Sequence, residues 1–139
     1  MTSYHPIKLT PLTPHMGAEV SGANLAELTA DQTAEIRSAF LDWQVLVFRD
    51  QILTRDEHKA FARLFGELHV HPSKTHLGAR GDREIFSIHT RPDSSYTNGE
   101  AWHTDVSCEA LPPLASALYL RQPPGEAGGD TLFANMYLA

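Results

Sequence analysis

The stretch "GEAWHTDVS", residues 99–107, places the imidazole of His103 and the carboxylate of Asp105 two positions apart. In an extended strand, side chains at this spacing point to the same face, so both could reach one ion. An iron site of the facial-triad type needs two histidines and one carboxylate, with three coordination positions left open. The pair alone is weak evidence, because a surface histidine bonded to a nearby aspartate, or a histidine satisfied in the core, has the same spacing.

The composition predicts one soluble globular domain. The 139 residues are 42% hydrophobic and 20% charged, and 11 Lys and Arg stand against 17 Asp and Glu. This charge balance and the scattered basic residues argue against a nucleic-acid partner. Cys108 is the only cysteine, which excludes an intrachain disulfide and a thiolate metal cluster. The chain lacks the pattern of a signal peptide or a membrane span, so we expect a cytoplasmic protein without a membrane partner.

Two helices are predicted in the N-terminal half. Thr29 and Gln32 form a capping-box pattern before a helix of about residues 30–42, whose apolar residues Ile36, Phe40 and Trp43 share one face. The run "VLVF" at 45–48 then predicts a buried strand.

A second capping box, Thr54 with Glu57, predicts another helix that stops at Gly66. Farther along, short strands are predicted in "EIFSIHT" (84–90), "ASALYLR" (115–121) and "TLFA" (131–134), joined by long loops. Two helices followed by such strands indicate an α+β or mainly β domain.

Several motifs together resemble one enzyme family. After "WHTDVS" come "LPP", "ASALYLR" and "GGDTLFANM", and before it come "GAEVSGANL", "VLVFRDQ" and "FARLFGELHVHP". Their order and spacing are similar to those of the taurine dioxygenase and dichlorophenoxyacetate dioxygenase (TauD/TfdA) family of Fe(II)- and 2-oxoglutarate-dependent oxygenases. The resemblance covers nearly the whole chain and goes well beyond what composition and periodicity indicate.

The resemblance implies a fold. We expect the chain to be the N-terminal portion of a double-stranded β-helix, the jelly-roll or cupin-like fold, with two flanking helices. Residues 1–139 would then form a single, truncated oxygenase domain. Residues 1–66 would supply the N-terminal strands and helices, and residues 67–139 the first part of the jelly roll.

The resemblance also implies site residues. His103 and Asp105 match the first two iron ligands, and Thr131 matches the threonine that binds the distal carboxylate of 2-oxoglutarate. His71 matches a histidine near the substrate, although packing or loop hydrogen bonding would also explain it, and neighbouring His69 could be structural. Asn98 could replace a substrate-side asparagine of the taurine enzymes.

The chain departs from the family pattern at several points. Lys74 and Gly99 stand where taurine enzymes have a tyrosine and that asparagine, which puts taurine as substrate in doubt. His69, His71, His76 and His89 all precede the pair, so none of them resembles the family's third iron ligand, which follows it. The family's third iron ligand, a histidine, and its 2-oxoglutarate-binding arginine would both lie beyond Ala139.

The implied reaction is hydroxylation of a small, anionic substrate of the taurine or sulfonate class, with O2 as cosubstrate and succinate and CO2 as products. Asp105 fills the position that halogenating relatives leave open for chloride, which favours hydroxylation. Two other classes stay open: a non-catalytic binding module with a vestigial site, and a zinc hydrolase built on the cluster from His69 to His76. A homo-oligomer is also left open.

Overall fold

The computed structural model describes residues 6–72, 82–91, 93, 95, 99, 101–123 and 129–139. Two compact units are present. The first unit contains the described residues of Met1–His58 and Leu118–Ala139, and the second contains those of Lys59–Ala117. The predicted organisation, a single domain with an N-terminal part of residues 1–66 and a jelly-roll part of residues 67–139, stays a prediction.

A three-stranded mixed sheet opens the first unit. The central strand β2 (Ala18–Ser21) pairs antiparallel with β1 (Lys8–Pro11) and parallel with β3 (Leu46–Phe48). Parallel neighbours need a crossover connection, and the helix α1 (Ala30–Trp43) provides it between β2 and β3. The strand predicted at 45–48 is therefore confirmed as β3.

Helix α1 begins at the predicted residue. The Thr29 hydroxyl accepts a hydrogen bond from the Gln32 N–H at 3.1 Å, and the Gln32 side-chain oxygen accepts one from the Thr29 N–H at 3.0 Å. These bonds satisfy two N–H groups that lack partners inside the helix. At the other end, Gln44 takes a left-handed conformation with φ 59° and donates its N–H to the Phe40 carbonyl oxygen.

The buried side chains of the described residues are aliphatic. On β2, Ala18 and Val20 are buried, whereas the intervening Glu19 points outward and forms an ion pair with Arg49 at 3.3 Å. On α1 the predicted apolar position Ile36 is completely buried. The core comprises Ile7, Ala18, Val20, Leu25, Ile36 and Ala39.

Helix α2 (Arg55–Arg63) starts at the second predicted capping box and ends earlier than predicted. The Thr54 N–H donates to the Glu57 carboxylate at 2.7 Å, and the Glu57 N–H donates to the Thr54 hydroxyl at 3.2 Å. The last helical residue is Arg63 rather than the residue before Gly66, because the next N–H groups bond three residues back, as in a tight turn.

The strands predicted at 84–90, 115–121 and 131–134 do not form in the described structure. Apolar and β-branched sequence makes a segment compatible with a strand, but a strand also needs a neighbour for its backbone hydrogen bonds. In the segment 115–121, the side chain of Tyr119 instead bonds to the backbone of the segment before α2. The Tyr119 hydroxyl donates to the Gln51 carbonyl oxygen at 3.1 Å and accepts from the Leu53 N–H at 3.3 Å.

An α+β architecture is thus confirmed at the level of one mixed sheet and two helices. Helical residues outnumber strand residues in the described chain, so the expected dominance of strands is not met there. The jelly roll stays a prediction. None of the described helices is long and apolar enough to cross a membrane.

Candidate metal centre

His103 and Asp105 lie side by side in the second unit. Nε2 of His103 is 3.4 Å from Oδ1 of Asp105, and the two side chains are 54% and 53% exposed. The expected strand geometry is absent here, because residues 102–104 have no regular structure and Asp105 begins a turn. The two side chains therefore converge through this turn and not through strand alternation.

The backbone determines which nitrogen of the His103 ring carries the proton. Nδ1 lies 2.7 Å from the carbonyl oxygen of Ala101. A carbonyl oxygen can only accept, so Nδ1 must donate, and in the neutral ring Nε2 keeps its lone pair. Metal-binding histidines are oriented by the same kind of hydrogen bond from the nitrogen that does not bind the metal. In its neutral form, the ring therefore presents the lone pair of Nε2 toward Asp105.

The carboxylate of Asp105 is oriented by a second hydrogen bond. The hydroxyl of Ser116, eleven residues later, donates to Oδ2. That bond engages one oxygen and leaves Oδ1 facing His103. Both members of the pair are thus oriented by groups that sequence reasoning did not identify, because neither the Ala101 carbonyl nor the Ser116 hydroxyl belongs to the motif.

Gly99 adjoins the His103 ring. Its φ is 91°, in the region that favours glycine, and a Cβ placed on it would lie 3.6 Å from Cε1 of His103. That separation is an ordinary van der Waals contact, so backbone conformation rather than space favours glycine here.

The donor set fits a divalent transition metal. Metal–nitrogen and metal–oxygen bonds of about 2.1 Å at right angles place two ligand atoms roughly 3 Å apart. The observed separation of 3.4 Å is close to that value. In the described part of the chain, no group of three His, Cys, Asp or Glu side chains is arranged to hold a metal. The pair therefore supplies two donor atoms, one nitrogen and one oxygen, at a separation that suits two ligands of one metal ion.

The turn after Asp105 is strained. Val106 has a φ of 52°, which is unusual for a β-branched residue. The N–H of Glu109 donates to the Val106 carbonyl oxygen at 3.1 Å, and Oε2 of Glu109 lies 2.9 Å from Nε2 of His69. His69 therefore contacts Glu109, and this contact fits the structural role expected for it.

The predicted substrate residue His71 packs against an aromatic ring. Its imidazole stacks on Phe86, with ring centroids 4.8 Å apart and an interplanar angle of 28°. His69 and His71 thus have different neighbours, and the described residues show no three-ligand zinc cluster there. His76 and Lys74 lie outside the described residues.

Thr131 and Asn98 complete the set of predicted site residues. Thr131 is exposed and belongs to the first unit, whereas His103 and Asp105 belong to the second. Asn98 lies outside the described residues. The roles of Thr131, His71 and Asn98 therefore stay predictions.

Comparison with known families decides the assignment. Residues 8–139 match the family described as taurine catabolism dioxygenase TauD, TfdA family. The chain belongs to the TauD, TfdA family. The predicted family is thereby confirmed over nearly the whole chain.

Individual TauD, TfdA relatives agree with this assignment. The α-ketoglutarate-dependent sulfonate dioxygenase of Saccharomyces cerevisiae is 31% identical over 93% of this chain. The alkylsulfatase of Acinetobacter baylyi is 37% identical, also over 93% of this chain. The chain spans only 33% and 39% of the lengths of those two proteins.

A solved structure supports the fold. The taurine dioxygenase from Burkholderia xenovorans superposes with a TM-score of 0.62 and 35% identity, covering 78% of this chain and 38% of that one. The α-ketoglutarate in the yeast protein's name is 2-oxoglutarate, the predicted cosubstrate. The predicted enzyme class, the 2-oxoglutarate-dependent dioxygenases, is therefore confirmed for the TauD, TfdA family to which the chain belongs.

Proposed function

We propose that the protein containing this chain is an Fe(II)- and 2-oxoglutarate-dependent dioxygenase that hydroxylates a small, anionic organic substrate. Succinate and CO2 are the accompanying products, and O2 is consumed. The observation that carries the proposal is the placement of His103 Nε2 3.4 Å from Oδ1 of Asp105, while Nδ1 of the same ring bonds to the Ala101 carbonyl oxygen. Family membership supplies the reaction class for that pair.

His103 and Asp105 would hold Fe(II) through Nε2 and Oδ1. Bound iron would supply oxygen activation coupled to decarboxylation of 2-oxoglutarate. The hydrogen bond from His103 Nδ1 to the Ala101 carbonyl fixes the ring before the metal arrives, and Ser116 does the same for the carboxylate. Asp105 also fills a position that halogenating relatives leave for chloride, so hydroxylation is the outcome we propose.

Thr131 is proposed to bind 2-oxoglutarate. Its hydroxyl would donate to the distal carboxylate of the cosubstrate, and its side chain is exposed in the described structure. No third iron ligand is identified among the described residues. On this proposal the 139 residues carry part of the active site, and experiments should use the full-length protein.

The substrate is proposed to be an organosulfur or related anion. The compared relatives are named for sulfonates, alkyl sulfates and taurine, all of which carry an anionic sulfur group. His71 and Asn98 are the proposed contacts for that group. The face of the His71 ring stacks on Phe86.

The test is anaerobic addition of Fe(II) and 2-oxoglutarate to the full-length protein. We expect the weak visible charge-transfer band of the iron chelate, followed on admission of O2 and an alkylsulfonate by substrate-dependent succinate. Zn(II) in place of Fe(II) is the control, since a d10 ion gives no such band. A complete, folded protein without the band would contradict the proposal and favour a binding module or a hydrolase.

A further inference from the structure

The turn that begins at Asp105 is closed by Glu109. Residues 105–108 form the turn, and the Glu109 N–H donates to the Val106 carbonyl oxygen at 3.1 Å. Val106 holds a left-handed conformation that a β-branched residue rarely adopts. A strained conformation of this kind persists only where its surroundings hold it, and such strain is concentrated at functional sites. The turn that presents the Asp105 carboxylate therefore needs external support.

The side chain of Glu109 receives that support from another segment. Its Oε2 lies 2.9 Å from Nε2 of His69, a residue 40 positions earlier in the chain. The two side chains are 36% and 26% exposed, so the bond is partly shielded from water. A carboxylate can only accept, which places a proton on His69 Nε2 whether the ring is neutral or charged. Glu109 is thus bonded through both its backbone and its side chain.

We propose that Glu109 and His69 are positioning residues for the metal pair, His103 and Asp105. Their hydrogen bond holds the 105–109 turn in the conformation that directs Oδ1 of Asp105 toward Nε2 of His103. They act through the turn backbone and not as ligands. The inference rests on the proposed function, since it requires that the pair bind a metal.

The same bond connects the turn to the segment that carries His71. His69 precedes His71 by two residues, and His71 is the proposed substrate contact. Loosening the His69–Glu109 bond should therefore disturb substrate binding as well as metal binding. A purely structural bond remote from the site would alter neither.

The experiment measures equilibrium Mn(II) binding to the full-length protein by the electron paramagnetic resonance signal of free Mn(II). Mn(II) prefers the same nitrogen and oxygen ligands as Fe(II) and is stable in air. Glu109→Met keeps the length of the side chain and removes its acceptor, and we expect about tenfold weaker binding, as when an outer hydrogen bond to a metal site is lost. Glu109→Gln keeps an acceptor oxygen and should bind Mn(II) within about twofold of wild type.

Glu84→Met is the matched control. Glu84 pairs with Arg63 and Lys59 in the same unit, so its replacement removes ion pairs of similar exposure without touching the turn. We expect its Mn(II) affinity to equal that of wild type. In steady state, Glu109→Met should also raise KM for the substrate, and Glu84→Met should not.

The outcomes separate this inference from the proposed function. Wild-type protein that binds no Mn(II) would overturn the proposed function. Wild type that binds, with a folded Glu109→Met variant of equal affinity, would overturn only the positioning role. If Glu109→Met does not fold, His69→Phe removes the donor and keeps an aromatic ring, and wild-type affinity in that variant would be equally decisive against the role.

Discussion

Nε2 of His103 faces Oδ1 of Asp105 at 3.4 Å, while Nδ1 of the same ring donates to the Ala101 carbonyl oxygen. In the neutral form of the ring, a lone pair and not a proton therefore faces the carboxylate. Two acceptors in this arrangement repel each other until a proton or a cation lies between them. Binding of a divalent metal would relieve that repulsion and satisfy both atoms.

Replacing the carboxylate should eliminate turnover. In the full-length protein, Asp105→Ala removes one of the two proposed ligand atoms, and we expect substrate-dependent succinate formation to fall by at least about 100-fold. Asp93→Asn is the control, because it changes an exposed carboxyl of the same unit outside the pair. Unchanged succinate formation in Asp105→Ala would remove this residue from the iron site.

The Ser116 hydroxyl should tune metal affinity without being a ligand. Ser116→Ala removes the donor to Oδ2 of Asp105, and we expect about tenfold weaker Fe(II) or Mn(II) binding. Ser116→Thr keeps a hydroxyl and should recover most of the affinity. Ser107→Ala deletes an exposed hydroxyl from the turn itself and should leave affinity unchanged. Equal affinities for Ser116→Ala and Ser107→Ala would show that this bond does not orient the ligand.

The capping box of α2 should make folding stability depend on pH. The hydrogen bond from the Thr54 hydroxyl, and next that from the Thr54 backbone N–H, lower the pKa of Glu57. A lowered pKa contributes stability above the pKa of the unfolded chain, and that stability is lost as pH falls through the folded value. Glu57→Gln should therefore destabilise the protein more at pH 7 than in acid, as measured by urea unfolding.

The Thr54 variants provide the control for this pH effect. Thr54→Val removes the hydroxyl donor and should reduce the pH dependence of the stability lost through Glu57→Gln. Thr54→Ser keeps the hydroxyl and should preserve the dependence. A Glu57→Gln penalty of the same size at neutral and acid pH would contradict the assignment of the shift to these bonds.

The core of the first unit should depend on α1. Ile36 is completely buried, whereas Ile52 is 90% exposed. We expect Ile36→Ala to cost about 2–5 kcal/mol in the free energy of unfolding, through lost burial and the cavity that it leaves. The matched change Ile52→Ala should cost less than about 0.5 kcal/mol. Similar costs at both positions, measured by urea unfolding, would contradict the described packing.

Local signals predicted the helices well. The reciprocal bonds between Thr29 and Gln32 lie within one turn, so the sequence contains everything needed to locate the start of α1. Strands at 115–121 and 131–134 were predicted wrongly for the described structure, because a short apolar segment does not show whether a pairing partner is present. Tyr119 attaches its segment through a hydroxyl, a contact without a local pattern.

The metal pair was predicted, but its supports were not. His103 and Asp105 are two residues apart and belong to a recognisable motif. Ser116 is eleven residues from its partner Asp105, and His69 is 40 residues from its partner Glu109. Contacts over such separations depend on how the loops fold, and neither periodicity nor capping chemistry encodes them. The sequence also did not predict the turn that stands at Asp105 in place of the expected strand.

The central claim is that His103 and Asp105 bind iron, and the most direct measurement is anomalous X-ray scattering at the iron edge. Crystals of the full-length protein would be grown anaerobically with Fe(II) and 2-oxoglutarate. We predict one iron peak about 2.1 Å from both His103 Nε2 and Asp105 Oδ1. An iron peak bound by other residues, with these two atoms unligated, would contradict the account.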